Sequence, residues 1–210
     1  MSTPGPDHPR VRVATPADAP AITEVVTTAF GPEGPLVARL IEALQASPAW
    51  DPALSFVAET VPGPGETGSP PADARAHPAA SQVIGYLLAT VNLLDAPRRL
   101  VNVLLLSPLA VHPAHQNRGV GSGLVRHALT VMQDRPEPLV FLEGHPSYYP
   151  RFGFRPAVPL GFRRPSLRIP EPAFMVHPLP AYQPWMTGTL VLADPFWRLD
   201  CVGLREPEPQ

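Results

Sequence analysis

The run Gln116-Asn117-Arg118-Gly119-Val120-Gly121-Ser122-Gly123-Leu124 constrains the fold of this chain more than any other stretch, because three glycines spaced two apart open a helical pattern. Val120, Leu124, Val125, Ala128, Leu129 and Met132 recur at helical spacing, which predicts a helix over about 119–133 with that face turned inward. Glycine costs roughly 1 kcal/mol per helical residue relative to alanine, so three of them in a first turn need a reason. The first N–H groups of a helix have no internal partner, and the macrodipole favours an anion beside them. Glycines there let a phosphate or pyrophosphate reach the backbone.

Upstream, 101–106 and 109–111 read as one buried strand of aliphatic and β-branched residues bounded by turn signals. Ser107-Pro108 interrupts it. Proline cannot donate to a ladder, so a bulge is predicted here, splaying the strand from its neighbour. Two phosphate-binding patterns fail on this sequence. A P-loop needs a lysine after its glycine turn, and the chain has none; a Rossmann turn wants an acidic residue about 20 positions on, after a second strand.

The pattern that fits is Gln-x-x-Gly-x-Gly from Gln116, preceded by Pro-Leu-Ala-Val-His-Pro at 108–113 and joined downstream to Tyr-Tyr-Pro-Arg-Phe-Gly-Phe at 148–154. It resembles the acyl-CoA-binding motif of the GNAT N-acetyltransferase superfamily, and most of all its YhbS-like branch. The resemblance is clear over 101–156 and weaker over 11–197. It implies an α/β fold of the α+β kind: a mixed, mostly antiparallel sheet of about seven strands with flanking helices, splayed near Ser107-Pro108. It also implies acetyl-CoA as co-substrate, with no metal. Backbone groups of Leu109 and Val111 are expected to pair with the pantetheine arm, and the N–H of Leu109 or Ala110 to reach the thioester carbonyl. The pyrophosphate is expected at Arg118, Gly119, Val120, Gly121, Ser122 and Gly123, behind Gln116 and Asn117, with the Arg118 guanidinium adding charge.

Length and composition agree with one globular domain over 11–198, flanked by a disordered lead-in at 1–10 and a tail at 199–210. Thirty-two prolines and 15 glycines point to long irregular connections around the core. A formal charge of −2 lacks the basic footprint of nucleic-acid binding. Cys201 stands alone, so no disulfide or thiol metal site is expected, and it reads as a packing residue. With no apolar leader and no apolar run of spanning length, the protein is expected to be cytoplasmic and away from membranes, a monomer or a homodimer.

Thr15-Pro16 signals a helix start, continuing to about Phe30. The glycines and prolines of 31–35 break it, and Leu36, Leu40, Ile41 and Leu44 restart it. By the resemblance, this broken helix walls the acceptor site and carries Glu33. Residues 54–59 and 83–92 read as hairpin strands, with 60–81 predicted as a disordered insertion at the tip. Arg98 and Arg99 close a solvated turn. Residues 139–142 form a short strand, Ser147 is predicted to cap a brief helix, and Gly153 to end it in a left-handed conformation. Residues 156–172 are irregular; their arginines, Arg163, Arg164 and Arg168, either sit in solvent or attract anionic substrates. Strands at 174–179 and 188–192 complete the reading.

Acyl transfer to an amine needs a proton for the leaving thiolate and a route for the amine proton. Tyr149 stands four residues before Gly153, the place of the acid tyrosine in similar sequences; Tyr148 is its competitor, pointing elsewhere by the helical step. Glu143, His145 or water takes the amine proton. His112 and His115 read as turn residues. The chain is thus expected to acetylate a primary amine of a small molecule or protein. The alternative is a non-catalytic acyl-CoA-binding sensor or interaction module.

Overall fold

The computed structural model describes residues 9–61, 81–203 and 205. Its strands are β1 (Arg10–Val13), β2 (Ser55–Glu59), β3 (Val83–Asp95), β4 (Leu100–Val111), β5 (Leu139–Glu143), β6 (Arg155–Pro156), β7 (Phe162–Arg163), β8 (Phe174–Pro178) and β9 (Gly188–Val191). The helices are α1 (Ala19–Phe30), α2 (Gly34–Gln45), α3 (Val120–Met132) and α4 (Asp194–Arg198).

One mixed sheet runs in the order β1-β2-β3-β4-β5-β8-β6, with β9 on the far end of β3 and β7 beside β9. Pairing is antiparallel except at β4–β5 and β7–β9. The seven-strand expectation is met by the main path, and the two short additions come from β7 and β9. Ile22, Val25 and Val26 of α1 and Leu40, Ile41 and Leu44 of α2 pack on one face of the sheet. The apolar stripe of α3, Val120, Leu124, Val125, Ala128, Leu129 and Met132, packs on the other, as its spacing dictates.

Two glycines permit close approach of the layers. A Cβ at Gly34 would lie 2.5 Å from the Thr27 backbone where α2 folds back on α1. A Cβ at Gly85 of β3 would meet Leu124 and Val120 of α3 at 3.0 Å.

Opposite the predicted interruption, Leu87 pairs with Leu109 and Ala89 with Leu106, so Leu88 faces both Ser107 and Pro108, which are joined by a cis peptide bond. This bulge exchanges the two faces of β4. Before it, Val101, Val103 and Leu105 belong to the α1–α2 layer and Leu104 and Leu106 to the α3 layer. After it, Ala110 joins the α1–α2 layer, while Leu109 and Val111 turn to α3. Because strand side chains alternate with a period of two, one extra residue is enough for that inversion. The splay follows: β4 meets β5 only at Leu104–Val140 and Leu105–Phe141, whereas β5 keeps its pairing with β8 as far as Glu143–Phe174.

Several boundaries differ from the sequence reading. Thr15 opens a 3-10 turn, Pro16–Asp18, and α1 starts only after it. There Asp18 accepts from the Thr15 N–H at 2.7 Å and from Arg12 at 2.7 and 2.8 Å, while Arg12 also donates to Glu59 at 3.0 Å. Ser147 does not cap the turn Tyr149–Phe152; its hydroxyl pairs with His145 Nδ1 at 2.9 Å instead. Gly153 does end that turn in the left-handed region, at φ 87°. The supposed tail begins inside the fold, because Val202 is buried in the α1–α2 layer. Most of the 60–81 insertion, the lead-in at 1–8 and the tail at 206–210 lie outside the described residues.

Candidate active site

A cleft of about 590 Å³ opens where β4 and β5 part, between the end of β4 and the start of α3. Leu109 and Val111 form one wall, and Gln116, Asn117, Gly119, Val120, Gly121 and Ser122 another. The loop reaches this shape through two left-handed residues, Asn117 at φ 58° and Gly119 at φ 81°. Gly123 N–H donates to the Gly119 carbonyl at 2.8 Å, which leaves Val120, Gly121 and Ser122 to supply the first unpaired helical donors. Gly121 is the floor: a Cβ there would stand 3.1 Å from the Tyr148 hydroxyl and 3.5 Å from Val111 Cγ2. Gln116 Nε2 donates to the Val111 carbonyl at 3.1 Å, tying the loop to the strand end.

Three residues of the expected set lie off this wall. Ala110 is buried in the α1–α2 layer as a result of the bulge. The side of Gly123 faces β1, where a Cβ would be 3.9 Å from Val11 Cγ2. Arg118 is exposed beside the loop; its charge, after burial, helps to depress the pKa of His115, which does line the cleft.

The far wall comes from the aromatic turn. Tyr148 lines the cleft, its hydroxyl 3.3 Å from Ser122 Oγ, and the Arg151 guanidinium stacks 4.9 Å above its ring. Tyr149 turns inward instead, onto Gly144, where its ring leaves no space for a side chain. Burial, and secondarily Tyr148, pushes the Tyr149 phenol up to about 12. Among the described residues the only sealed side-chain polar atom lacking a partner is His177 Nδ1, so the unbonded Tyr149 hydroxyl is not enclosed.

On the opposite face of the sheet a smaller cavity of about 40 Å³ lies against the bulge. Leu105, Ser107, Leu142 and Glu143 line it from the two parted strands, and Leu190, Leu192, Phe196 and Cys201 from the C-terminal segment. Desolvation raises the Glu143 pKa above its ordinary value. The Cys201 thiol is raised by burial, then by Asp200 and Glu33, which places Glu33 on this side of the molecule.

A family model described as "Acetyltransferase (GNAT) domain" matches residues 81–157. Over 194 residues the chain is 32% identical to the uncharacterized N-acetyltransferase YjhQ of Escherichia coli (strain K12), covering 90% of this chain and 94% of that protein. The chain belongs to the GNAT N-acetyltransferase family. Among solved GNAT structures, YhbS from Escherichia coli in complex with CoA superposes with a TM-score of 0.71 at 25% identity, covering 94% of this chain and 96% of that one. A GNAT acetyltransferase from Brucella melitensis in complex with acetyl-CoA shares the fold, with a TM-score of 0.63 at 24% identity over 90% and 99% of the two chains.

Within this GNAT fold the glycine loop and the end of β4 meet the aromatic turn through Tyr148, whereas Tyr149, the residue singled out from the sequence, lines neither cavity. The two candidate bases separate: Glu143 lines the second cavity, while exposed His145 is engaged with Ser147. Sequence reasoning missed Arg151 and His115 on the cleft, and Cys201 at the second cavity. Spacing offers a signal only for Arg151, which lies three residues beyond Tyr148 on one turn.

Proposed function

We propose that this acetyltransferase moves the acetyl group of acetyl-CoA directly to a primary amine in a ternary complex. The observation that carries the reading is the pair of cavities on opposite faces of the sheet, one lined by Leu109 and Val111 of β4, the other by Leu105 and Ser107 of the same strand. The larger has helix-terminal donors suited to a pyrophosphate; the smaller has a carboxylate suited to an incoming amine. CoA in the YhbS structure, a relative at 25% identity over most of both chains, supports acetyl-CoA as the donor.

In this scheme the amine nitrogen bonds to the thioester carbonyl carbon and the carbon–sulfur bond breaks. Glu143, directly or through water, takes the amine proton, and its raised pKa suits it to that task. Tyr149 donates its phenolic proton to the departing thiolate. Pushed up to about 12, that phenol stays protonated at neutral pH, where a thiol ionises near about 8.5. Backbone N–H groups near Leu109 polarise the carbonyl. CoA release from acetyl-CoA across a panel of primary amines tests the scheme, with calorimetric acetyl-CoA binding alongside. Binding without release for any amine would instead mark a sensor.

A further inference from the structure

The cavity at Glu143 carries information about the acceptor that the reaction class does not. Among the described residues Glu143 is the only charged side chain on its wall, and Leu105, Leu142, Ile169, Leu190, Leu192 and Phe196 form most of the rest. Three arginines stand on the segment that supplies Ile169, and each is engaged elsewhere. Arg163 Nε donates to Thr189 Oγ1 at 2.8 Å. Arg164 donates to the Ile169 carbonyl at 2.6 Å and to Glu171 at 3.2 Å. Arg168 pairs with Asp200 at 3.0 Å. None of the three lines the cavity, so a carboxylate placed inside it would meet Glu143 and hydrocarbon, with no cation on the wall among the described residues. Glu143 is exposed at the outer edge of the wall, so a second carboxylate there is disfavoured by repulsion from Glu143 and by the water it loses over the apolar lining.

Size and rim agree. Holding one water-sized group takes about 10–15 Å³ of cavity, so a volume of about 40 Å³ encloses an amino group and about two carbons. The remainder of the acceptor must lie across the rim. Leu167 stands in sequence between the wall residues Pro165 and Ile169 and is 87% exposed, an apolar side chain available to that remainder. Asp200, the acidic neighbour of Cys201, has its carboxylate bound by Arg168 and Arg205, and Glu33, the other acidic group acting on Cys201, does not line the cavity, so a second cationic centre on the acceptor finds no carboxylate on the wall beyond Glu143.

We propose that the acceptor is a monoamine: a primary amine on a short apolar body without a carboxylate, its amino group at Glu143 and its body against Leu167. This rests on the assignment of the smaller cavity to the amine. The test compares kcat/KM for CoA release with 3-methylbutylamine, leucine amide, leucine and spermidine at saturating acetyl-CoA, alongside the rise in melting temperature that acetyl-CoA produces. The first two amines should exceed the last two at least tenfold. Leu167→Glu, at an exposed position, should raise KM for 3-methylbutylamine several-fold while leaving kcat and the acetyl-CoA thermal shift unchanged. Equal rates, a preference for leucine or spermidine, no turnover of either apolar amine, or an unmoved KM in Leu167→Glu overturns the assignment while acetyl-CoA still stabilises the protein. Loss of that stabilisation in the unaltered protein removes the transferase reading, and this inference with it.

Discussion

The rings of Tyr148 and Tyr149 meet edge to face, with centroids 5.0 Å apart and planes at 89°, and this right angle assigns two consecutive phenols to different surroundings. Tyr148 borders the coenzyme cleft and reaches Ser122; Tyr149 packs over Gly144 at the end of β5. Under the proposed scheme Tyr149→Phe should lower kcat by about 10²- to 10⁴-fold, the usual yield of general acid catalysis, and leave acetyl-CoA affinity intact. Tyr148→Phe should chiefly weaken acetyl-CoA binding. Steady-state kinetics and calorimetry on both variants decide the matter; wild-type kcat in Tyr149→Phe, with chemistry limiting, would transfer the acid role elsewhere.

Gly121 has Tyr148 and Val111 immediately beyond its missing side chain. Gly121→Leu should fill the cleft at the helix terminus and abolish the concentration-dependent thermal stabilisation that a bound ligand confers. An undiminished shift with acetyl-CoA in this variant contradicts the pyrophosphate placement.

Glu143 is exposed at the end of β5, yet partial desolvation against the cavity raises its pKa, so the carboxylate form of this base accumulates above the ordinary glutamate range near about 4.3. The acid limb of kcat/KM should accordingly lie above that range, with activity rising as pH increases through it. Glu143→Gln should erase the limb and reduce kcat by about 10²-fold or more. A pH profile that keeps the same limb in the variant would point to water alone.

Asp18 accepts from Arg12 and Thr15, and the guanidinium hydrogen bonds hold its carboxyl far below the usual carboxylate range. A depressed folded-state pKa stabilises fully above the unfolded value of about 3.9 and progressively less as pH falls below it. Asp18→Asn should cost about 1–3 kcal/mol at neutral pH, the scale of hydrogen bonds to a charged group. Urea unfolding at pH 7 and pH 3 should show the gap between variant and wild type narrowing in acid.

The hairpin of β2 and β3 is closed at its tip: Thr60 N–H donates to the Gln82 carbonyl at 2.9 Å, and Gln82 N–H to Thr60 Oγ1 at 3.0 Å. Replacing 61–81 by a tight turn should change stability by only about 1.5–2 kcal/mol, because closure entropy varies by about 0.6 kcal/mol per doubling of length. Melting and acetyl-CoA titration check this. A large loss in either would give the segment a packing or gating role.

The sheet, α3 and the bulge were readable because each rests on local chemistry: periodicity, a proline within a strand, glycines at a helix mouth. What escaped was set by contacts distant in sequence. β6 and β7 have two residues each, too few for a period, and exist through Val176, Met175, Gly188 and Thr189. α4 hid behind the proline of Asp194-Pro195, although an early proline suits a first helical turn. The arginines of 156–172 looked available, but Thr189 and Asp200, far along the chain, bond Arg163 and Arg168, and Glu171 of the same segment bonds Arg164. Arg98 and Arg99, read as solvated, lie 5.2 and 5.7 Å from the centre of the Trp185 ring.

The bulge at Ser107 and Pro108 acts on β4 as a frame shift acts on a coding sequence: everything downstream keeps its order but changes its meaning. Deleting Pro108 would return Leu109 and Val111 to the α1–α2 side and send Ala110 toward α3, removing one wall of the coenzyme cleft without altering one of the side chains that line it. The segment is therefore constrained in count more tightly than in identity. Homologous sequences can vary at these two positions, provided that two residues still stand against Leu88.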